Sequence, residues 1–342
     1  MSKAKTAIVI LNWNGEKLLP QFLPSVIEHS RLPNTRIIVA DNGSTDASIQ
    51  ILSEKFPEVE ILDLKQNHGF AKGYNEALRQ IDADYYVILN SDVELSEGWL
   101  HPVINLLDSD ETIGAVQPKI LSYHEKNTFE YAGAAGGFID RYGFPFCRGR
   151  ILNITENDEG QYDQSIDIFW GSGACLIIRA ELFHRAGGFD ADFWAHMEEI
   201  DLCWRIRNMG YRMVFCPESR VYHLGGGSLP YNTPRKLYLN FRNNLSLLYK
   251  NLPSEKLFGT LFFRMVFDGI AAFRLLLEGN VRGFFSVVKA HLSFYRNLPS
   301  LQKKRKVQNS FLTRKMHPEM FRGSVILNFY LKGKKRFSEL GF

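Results

Sequence analysis

The sequence predicts an α/β protein, a parallel-core sheet with helices on both faces, and three observations carry that reading. Four short runs rich in Ile, Val and Tyr, at 6–11, 36–40, 59–64 and 85–89, recur along the N-terminal part of the chain. Helical patterns fill the intervals at 16–29, 45–56 and 70–81, so the order reads βαβαβαβ. The strand runs are apolar at successive rather than alternate positions, as in strands covered on both faces by right-handed crossover helices. Ser44, just before the second helical pattern, is the expected N-cap.

Each strand run stops at polar residues: Asn12 after the first, Asp41 after the second, Asn67 after the third, and Asn90, Ser91 and Asp92 after the fourth. Taken singly, Asp and Asn are common turn formers. Placed after four successive strands they converge, because the carboxyl ends of an open parallel sheet form the crevice in which ligands bind. The first turn, "NWNGEK", lacks G-x-G-x-x-G, and no Walker A run occurs, which argues against dinucleotide and P-loop chemistry. Acids in a nucleotide-type crevice repel a diphosphate unless a divalent cation lies between them. Mg²⁺ or Mn²⁺ is held by one or two carboxylates plus phosphate oxygens, and Asp92 at a strand end suits that task.

Composition sets the outer bounds. A chain of 342 residues with 45% hydrophobic and 23% charged residues is globular material, long enough for one large domain or a domain with an appendage. The net charge of +4 conceals two halves: before Glu255, 24 basic residues face 32 acidic ones, and from Glu255 onward 17 face 5. Cys147, Cys175, Cys203 and Cys216 form no C-x-x-C pair, so neither a zinc site nor a disulfide framework is expected and a reducing cytoplasm is the simplest home. The opening "MSKAKT" runs into an apolar stretch too short for a signal peptide. From 113 to 167 the pattern loosens, and the glycine-rich "YAGAAGGFIDRYG" and acidic "NITENDEGQYD" are expected as an exposed, mobile segment over a cleft.

Five blocks, "VADNGSTD", "NHGFAKGYNEAL", "VILNSDVEL", "GGFDADFWAHMEEIDLCWRIRNMGYR" and "VYHLGGGS", together resemble the inverting nucleotide-sugar glycosyltransferases of glycosyltransferase family 2, especially rhamnosyltransferase-like members. The resemblance spans 5–252 and keeps the blocks in order. It implies a GT-A type catalytic domain over 1–252, with Asp41 on the base or ribose of the donor and Asp92 as the metal-binding last acid of a D-x-D motif. Asn90 stands where the first Asp often does, removing one charge from the metal site. "HMEEIDL" corresponds to the acid pair that supplies the general base, with Glu199 favoured, Glu198 next, and Asp201 as a structural or acceptor-binding partner. The alternative is that the two glutamates occupy a solvated helix start, where acids suit the macrodipole. His223 aligns with a histidine on the metal or beside the diphosphate, with Gly225, Gly226 and Gly227 as flexible neighbours. Gly69 and Gly73 supply backbone freedom, Asn75 braces the nucleotide loop, and Lys72 either meets a phosphate or is solvated. Trp170, Gly171 and Gly173 line the acceptor side, unless Trp170 is core.

The tail, 253–342, interleaves Phe and Leu with Arg264, Arg274, Arg282 and Lys289 and holds no apolar stretch long enough to span a bilayer. Basic amphipathic helices of this kind lie at an anionic membrane surface, and "KKRK" at 303–306 would add roughly 1 kcal/mol per cation. The alternative is that they pack on the catalytic domain. No nucleic-acid module accompanies the charge. The expectation is therefore an enzyme peripheral to the inner face of the cell membrane, moving a sugar, rhamnose among the candidates, from a UDP- or dTDP-sugar to a cell-surface glycan or lipid-linked acceptor with Mn²⁺ or Mg²⁺. A nucleotide-sugar binding module without turnover and a nucleotidyltransferase are the rivals; "NWNGEK" lacks the basic triphosphate loop the latter needs.

Overall fold

The structure, a computed structural model, describes residues 4–225, 233–313 and 317–342. Strand β1 (Ala4–Asn12), helix α1 (Leu18–His29), β2 (Thr35–Asp41), α2 (Ser48–Lys55), β3 (Glu60–Asp63), α3 (Gly69–Leu78) and β4 (Ala83–Leu89) follow the expected βαβαβαβ order. Ser44 is not the cap of α2. Its hydroxyl donates to Asp41 Oδ1 at 2.6 Å, and the Ser48 amide donates instead to Asp46 Oδ1 at 3.0 Å. Asp46 lies two residues before that amide, within direct reach of a short side chain.

The chain continues through β5 (Val93–Leu95), α4 (Leu100–Ser109), β6 (Ile113–Ser122), β7 (Gly137–Asp140), β8 (Pro145–Cys147), β9 (Arg150–Ile151), β10 (Ile154–Thr155) and β11 (Ile166–Ile168). Then come β12 (Cys175–Arg179), α5 (Ala180–Arg185), α6 (Glu198–Asn208), β13 (Arg212–His223) and α7 (Pro234–Asn251). The main sheet runs β11-β13-β6-β12-β4-β1-β2-β3, with β5 on β13. Strands β3, β2, β1 and β4 are parallel, as expected, and so are β6 and β13. Strand β12 runs antiparallel between β4 and β6, so the sheet is mixed rather than wholly parallel. Antiparallel entry sets the start of β12 against the carboxyl end of β4, pairing Cys175 with Leu89, and so brings the 170–174 loop to the crevice rim.

Burial on both sheet faces explains the unbroken apolar runs. Ala7 and Val9 pack with Tyr74, Ala77, Phe183 and Ile200 on one side, whereas Ile8 and Ile10 pack with Leu19, Leu23, Leu100 and Val103 on the other. Each of the larger side chains, Val, Leu, Ile or Phe, contributes roughly 1.5–3 kcal/mol of transfer free energy. The four cysteines are buried free thiols.

The middle region is more ordered than its sequence suggests. Strands β7 to β10 form a second sheet, and no one of them is longer than 4 residues, too short for periodicity to register. The acidic stretch is exposed in part but tethered. The buried Lys119 ammonium pairs with Asp158 at 2.7 Å and also with Asp163, while Tyr162 donates to Glu156 at 3.0 Å. It is fixed to the sheet and is not a free cover.

After α7 come α8 (Ser254–Leu277), α9 (Val281–Ser310), β14 (Met320–Phe321) and α10 (Val325–Lys332). Strand β14 extends the second sheet beside β7, and Asp140 accepts from the Val325 amide at 2.9 Å. Arg305 donates to the Tyr249 carbonyl at 2.6 Å, and Lys304 pairs with Asp190 and Asp192. Half of "KKRK" is thus engaged within the protein, because a neighbouring acidic loop lies within reach of it. Among the described residues no helix is long and apolar enough to cross a membrane.

Candidate active site

The carboxyl ends of β1, β2, β4, β6 and β13 share one rim. There β13 pairs antiparallel with β5, His223 opposite Val93, and parallel with β6, His223 opposite Ser122. This register delivers His223 to the Asn90–Asp92 corner. Its Nε2 lies 3.2 Å from Asp92 Oδ1 and 3.4 Å from Asn90 Nδ2. On the other side of the ring, Nδ1 lies 3.1 Å from Glu130 Oε2. Burial opposes charge on this imidazole, but the two carboxylates prevail and raise its pKa to about 10. Ser91 is half-buried beside the pair. Gly225 follows at the rim with φ +72°, whereas Gly226 and Gly227 lie outside the described residues.

Glu130 was not legible in sequence. It sits in the glycine-rich stretch without a motif, and only the β6 register brings it to the ring; its second role is to accept from the Ala132 amide at 2.6 Å.

A second acid centre opens α6. The chain enters this helix through left-handed Trp194, His196 and Met197, with φ of 64°, 69° and 72°, a concentration of strain typical of functional segments. Glu198 and Glu199 each leave Oε2 without a hydrogen-bond partner among the described residues. Burial raises Glu199 to about 7 against its backbone hydrogen bonds, and burial together with the Glu199 charge raises Glu198 well above the usual carboxylate range. A pair of this kind holds one proton between two sites near neutrality. Glu199 is the more accessible of the two and so the better placed to accept a proton from outside.

Asp201 is structural. Fully buried, it accepts from Arg205 Nε at 2.8 Å, Asn251 Nδ2 at 2.8 Å and Lys250 Nζ at 2.9 Å. Asp201→Ala should cost about 3–5 kcal/mol by leaving the buried Arg205 without a carboxylate and taking one of the two from Lys250, measured as a fall in urea-unfolding free energy. A variant as stable as the wild type would show that the network adds nothing.

The two acid centres adjoin through the 170–174 loop. The Gly173 α-carbon faces Glu199, since a Cβ there would lie 3.9 Å from Glu199 Cβ, and the next carbonyl, Ala174 O, accepts from the Asn90 amide at 3.0 Å. Gly173 therefore borders Glu199. Trp170 does not line the acceptor side: it is buried, and its Nε1 donates to Phe138 O at 2.9 Å. Gly171 is packed behind it against Leu176 and Gln117.

Other expected contacts take different forms. Asp41 is fully buried; its Oδ1 accepts from Asn12 Nδ2 at 3.0 Å and its Oδ2 from the Ser44 amide at 2.9 Å, so Asp41 and Asn12 shape the 42–44 turn. Asn67 Oδ1 accepts from the Gly69 amide at 2.8 Å and starts α3. Gly69 has φ +73°, and a Cβ there would meet the Trp194 indole at 2.8 Å, so glycine is required twice over. Asn75 braces a different turn from the nucleotide loop: its Nδ2 donates to Phe189 O at 2.7 Å and its Oδ1 accepts from Phe189 N at 2.9 Å. Its place inside α3, facing the protein, makes that turn the nearer partner. Lys72 is solvent-exposed on α3. Two aromatics carry no role legible in the sequence: Trp13, 56% exposed beside Asn12, and Trp194, with the Arg235 guanidinium 4.1 Å from its ring centroid.

The family model described as Glycosyl transferase family 2 matches residues 7–187. The chain belongs to this family. The N-acetylglucosaminyl-diphospho-decaprenol L-rhamnosyltransferase of Mycobacterium tuberculosis is 26% identical over 234 residues, covering 63% of this chain and 75% of the relative. O-antigen biosynthesis protein RfbC of Myxococcus xanthus is 26% identical over 222 residues, 64% of this chain but 17% of its own length. Among solved structures, S. aureus TarS 1-349 in complex with UDP-GlcNAc superimposes with TM-score 0.57 at 15% identity, covering 90% of this chain and 87% of that one. GalNAc-T7 with UDP, GalNAc and Mn²⁺ gives TM-score 0.56 at 18% identity over 75% of this chain, which spans about half (49%) of its length. The fold of this glycosyltransferase is of the GT-A type, and the nucleotidyltransferase reading drops out.

Proposed function

We propose that this family 2 enzyme transfers a sugar, with inversion, from a UDP- or dTDP-sugar to a hydroxyl of a lipid-linked or cell-surface glycan acceptor at the inner face of a membrane. One observation carries the reading: an acid–imidazole pair, Asp92 with His223, stands one loop away from an acid pair poised near neutrality. Rhamnose is the first donor sugar to test, on the name of the Mycobacterium tuberculosis relative.

Asp92 suits a divalent cation as it stands, whereas His223, held protonated between its two carboxylates, becomes a ligand only as the ion displaces its Nε2 proton. Among the described residues no cluster of three or more His, Cys, Asp or Glu side chains could hold a metal by itself. A two-residue site leaves the remaining positions to phosphate oxygens, the arrangement Mn²⁺ and Mg²⁺ favour with nucleotides. When bound, the ion supplies charge neutralisation of the departing diphosphate. Glu130 holds the far nitrogen of the ring and so turns Nε2 toward Asp92. Glu199 accepts the proton of the acceptor hydroxyl, and burial with the neighbouring charge raises Glu198 well above the usual carboxylate range, which disfavours a second negative charge beside it. The 170–174 loop sets the distance between the two centres.

Purified protein with Mn²⁺ should release nucleoside diphosphate from one member of a panel of UDP-, dTDP- and GDP-sugars and transfer the sugar to a polyprenyl-diphosphate-linked saccharide. Failure across the whole panel would sink the donor assignment. Glu130→Gln should weaken Mn²⁺ binding about 10- to 100-fold by titration calorimetry, with folding intact; unchanged affinity would leave Glu130 a purely structural partner of Ala132.

A further inference from the structure

Helix α8 is built inside out. Its buried residues are Arg264, Asp268 and Ala272. Arg264 Nε donates to Asp268 at 2.7 Å and its Nη1 to Asn244, while His291 of α9 lies 3.2 Å from the same carboxylate. Leu257, Leu261 and Met265 pack inward, but a stripe of apolar residues faces outward: Phe258, Phe262, Val266, Ile270, Phe273 and Leu277 are all exposed, Phe258 to 85% and Leu277 to 73%. Their spacing of three or four residues keeps them on one slowly turning stripe for the length of the helix. Helix α9 repeats the arrangement with exposed Val281, Phe285, Val288, Leu292 and Tyr295. Tyr295 Oη donates to Met265 Sδ at 3.2 Å, so the two stripes adjoin. Soluble surfaces scatter single apolar residues, but a continuous face of this size marks a partner.

Charge selects the partner. Arg282, Lys289, Arg296 and Lys303 recur every seventh residue beside the α9 stripe, and all four are exposed. Helix α9 contains no Asp or Glu across its 30 residues. On α8 and its C-cap the exposed acids are Glu255 and Glu278, the latter paired with Arg274 at 2.7 Å. A second copy docked face to face would bring this cationic row against a surface with almost no acids to receive it. An anionic surface with an apolar interior satisfies both features at once.

We propose that the outward face of the α8–α9 hairpin is a bilayer-binding surface: its Phe, Ile and Leu side chains enter the acyl boundary, and the α9 cationic row meets anionic headgroups. The proposal deepens the reading of an enzyme working beside a membrane and rests on it, but not on the chemistry of the acid pair. Lys304 and Arg305, engaged inside the protein, take no part; the row of seventh residues does the work expected of "KKRK".

The test is vesicle flotation of the full chain with phosphatidylcholine vesicles and with mixed phosphatidylcholine–phosphatidylglycerol vesicles. Wild type should float with the mixed vesicles and far less with the neutral ones. The combined variant Phe258→Ser, Ile270→Ser, Phe285→Ser and Leu292→Ser should partition at least about tenfold less. Changing Arg282, Lys289, Arg296 and Lys303 to Gln should remove the preference for anionic lipid. Both variants should keep the wild-type melting temperature and nucleotide-sugar binding, so loss of membrane binding is separable from loss of the transferase reading. No flotation of wild type, or full flotation of the serine variant, would overturn the proposal. So would a concentration-dependent dimer that the serine variant dissolves, which would assign the face to a second copy.

Discussion

Glu199→Gln is expected to slow sugar transfer about 100- to 10,000-fold, the usual worth of a general base, while donor binding stays intact. The amide keeps the shape of the side chain and removes only its proton affinity. Glu198→Gln should be milder, because burial and the Glu199 charge already bias Glu198 toward its protonated form. Single-turnover transfer with a saturating donor is the measurement, and a fully active Glu199→Gln enzyme would move the base elsewhere. The pH profile follows from the same environment. With Glu199 raised to about 7, activity should climb through that pH as the carboxylate forms. Stability runs the other way. A carboxyl whose folded pKa lies above its ordinary 4.5 stabilises the fold fully below 4.5 and loses that contribution as pH rises through about 7. Glu199→Gln should therefore flatten the wild-type decline in melting temperature between those values.

Asp92→Ala is expected to remove the divalent-cation dependence of donor binding, weakening Mn²⁺-supported affinity on the order of 100-fold or more. Among the described residues the proposed site gives the ion two side chains, Asp92 and His223, and Asn90 contributes no charge where the family often has a second acid. Chelation of the wild-type enzyme should reproduce the variant. The readout is donor affinity with and without Mn²⁺; equal metal dependence in variant and wild type would take Asp92 out of the metal site.

The parallel core was legible because its signals are local. Residues 6–11 and 85–89 are apolar on both faces, and their register alone carries Asn12 and Asp92 to one rim. What escaped depends on distant chain segments. Strand β12 reads as an ordinary apolar run, and nothing within it says that it enters antiparallel. The strands between 137 and 155 are shorter than any hydrophobic period. Polar or aromatic chemistry that fits a ligand suggests outward roles for Asp41 and Asn75, and for Trp170 as one of two readings beside core. Each is occupied by backbone or side-chain groups that only the tertiary fold brings near: Asn12 and Ser44, Phe189, and Phe138. Glu130 was invisible for the complementary reason, since an isolated acid among glycines gains meaning only when β13 sets an imidazole beside it. In the tail the balance of charge was correct, but which cations face outward depended on helical phase.

The ion chain from Lys304 through Asp190 and Lys250 to Asp201 ties the last long helix to the helix that presents the acids. A shortened version ending where the family resemblance ends would leave Asp190 with one ammonium in place of two and would strip β14 from its sheet. Trimming for crystallisation or domain grafting should therefore retain the whole C-terminal region.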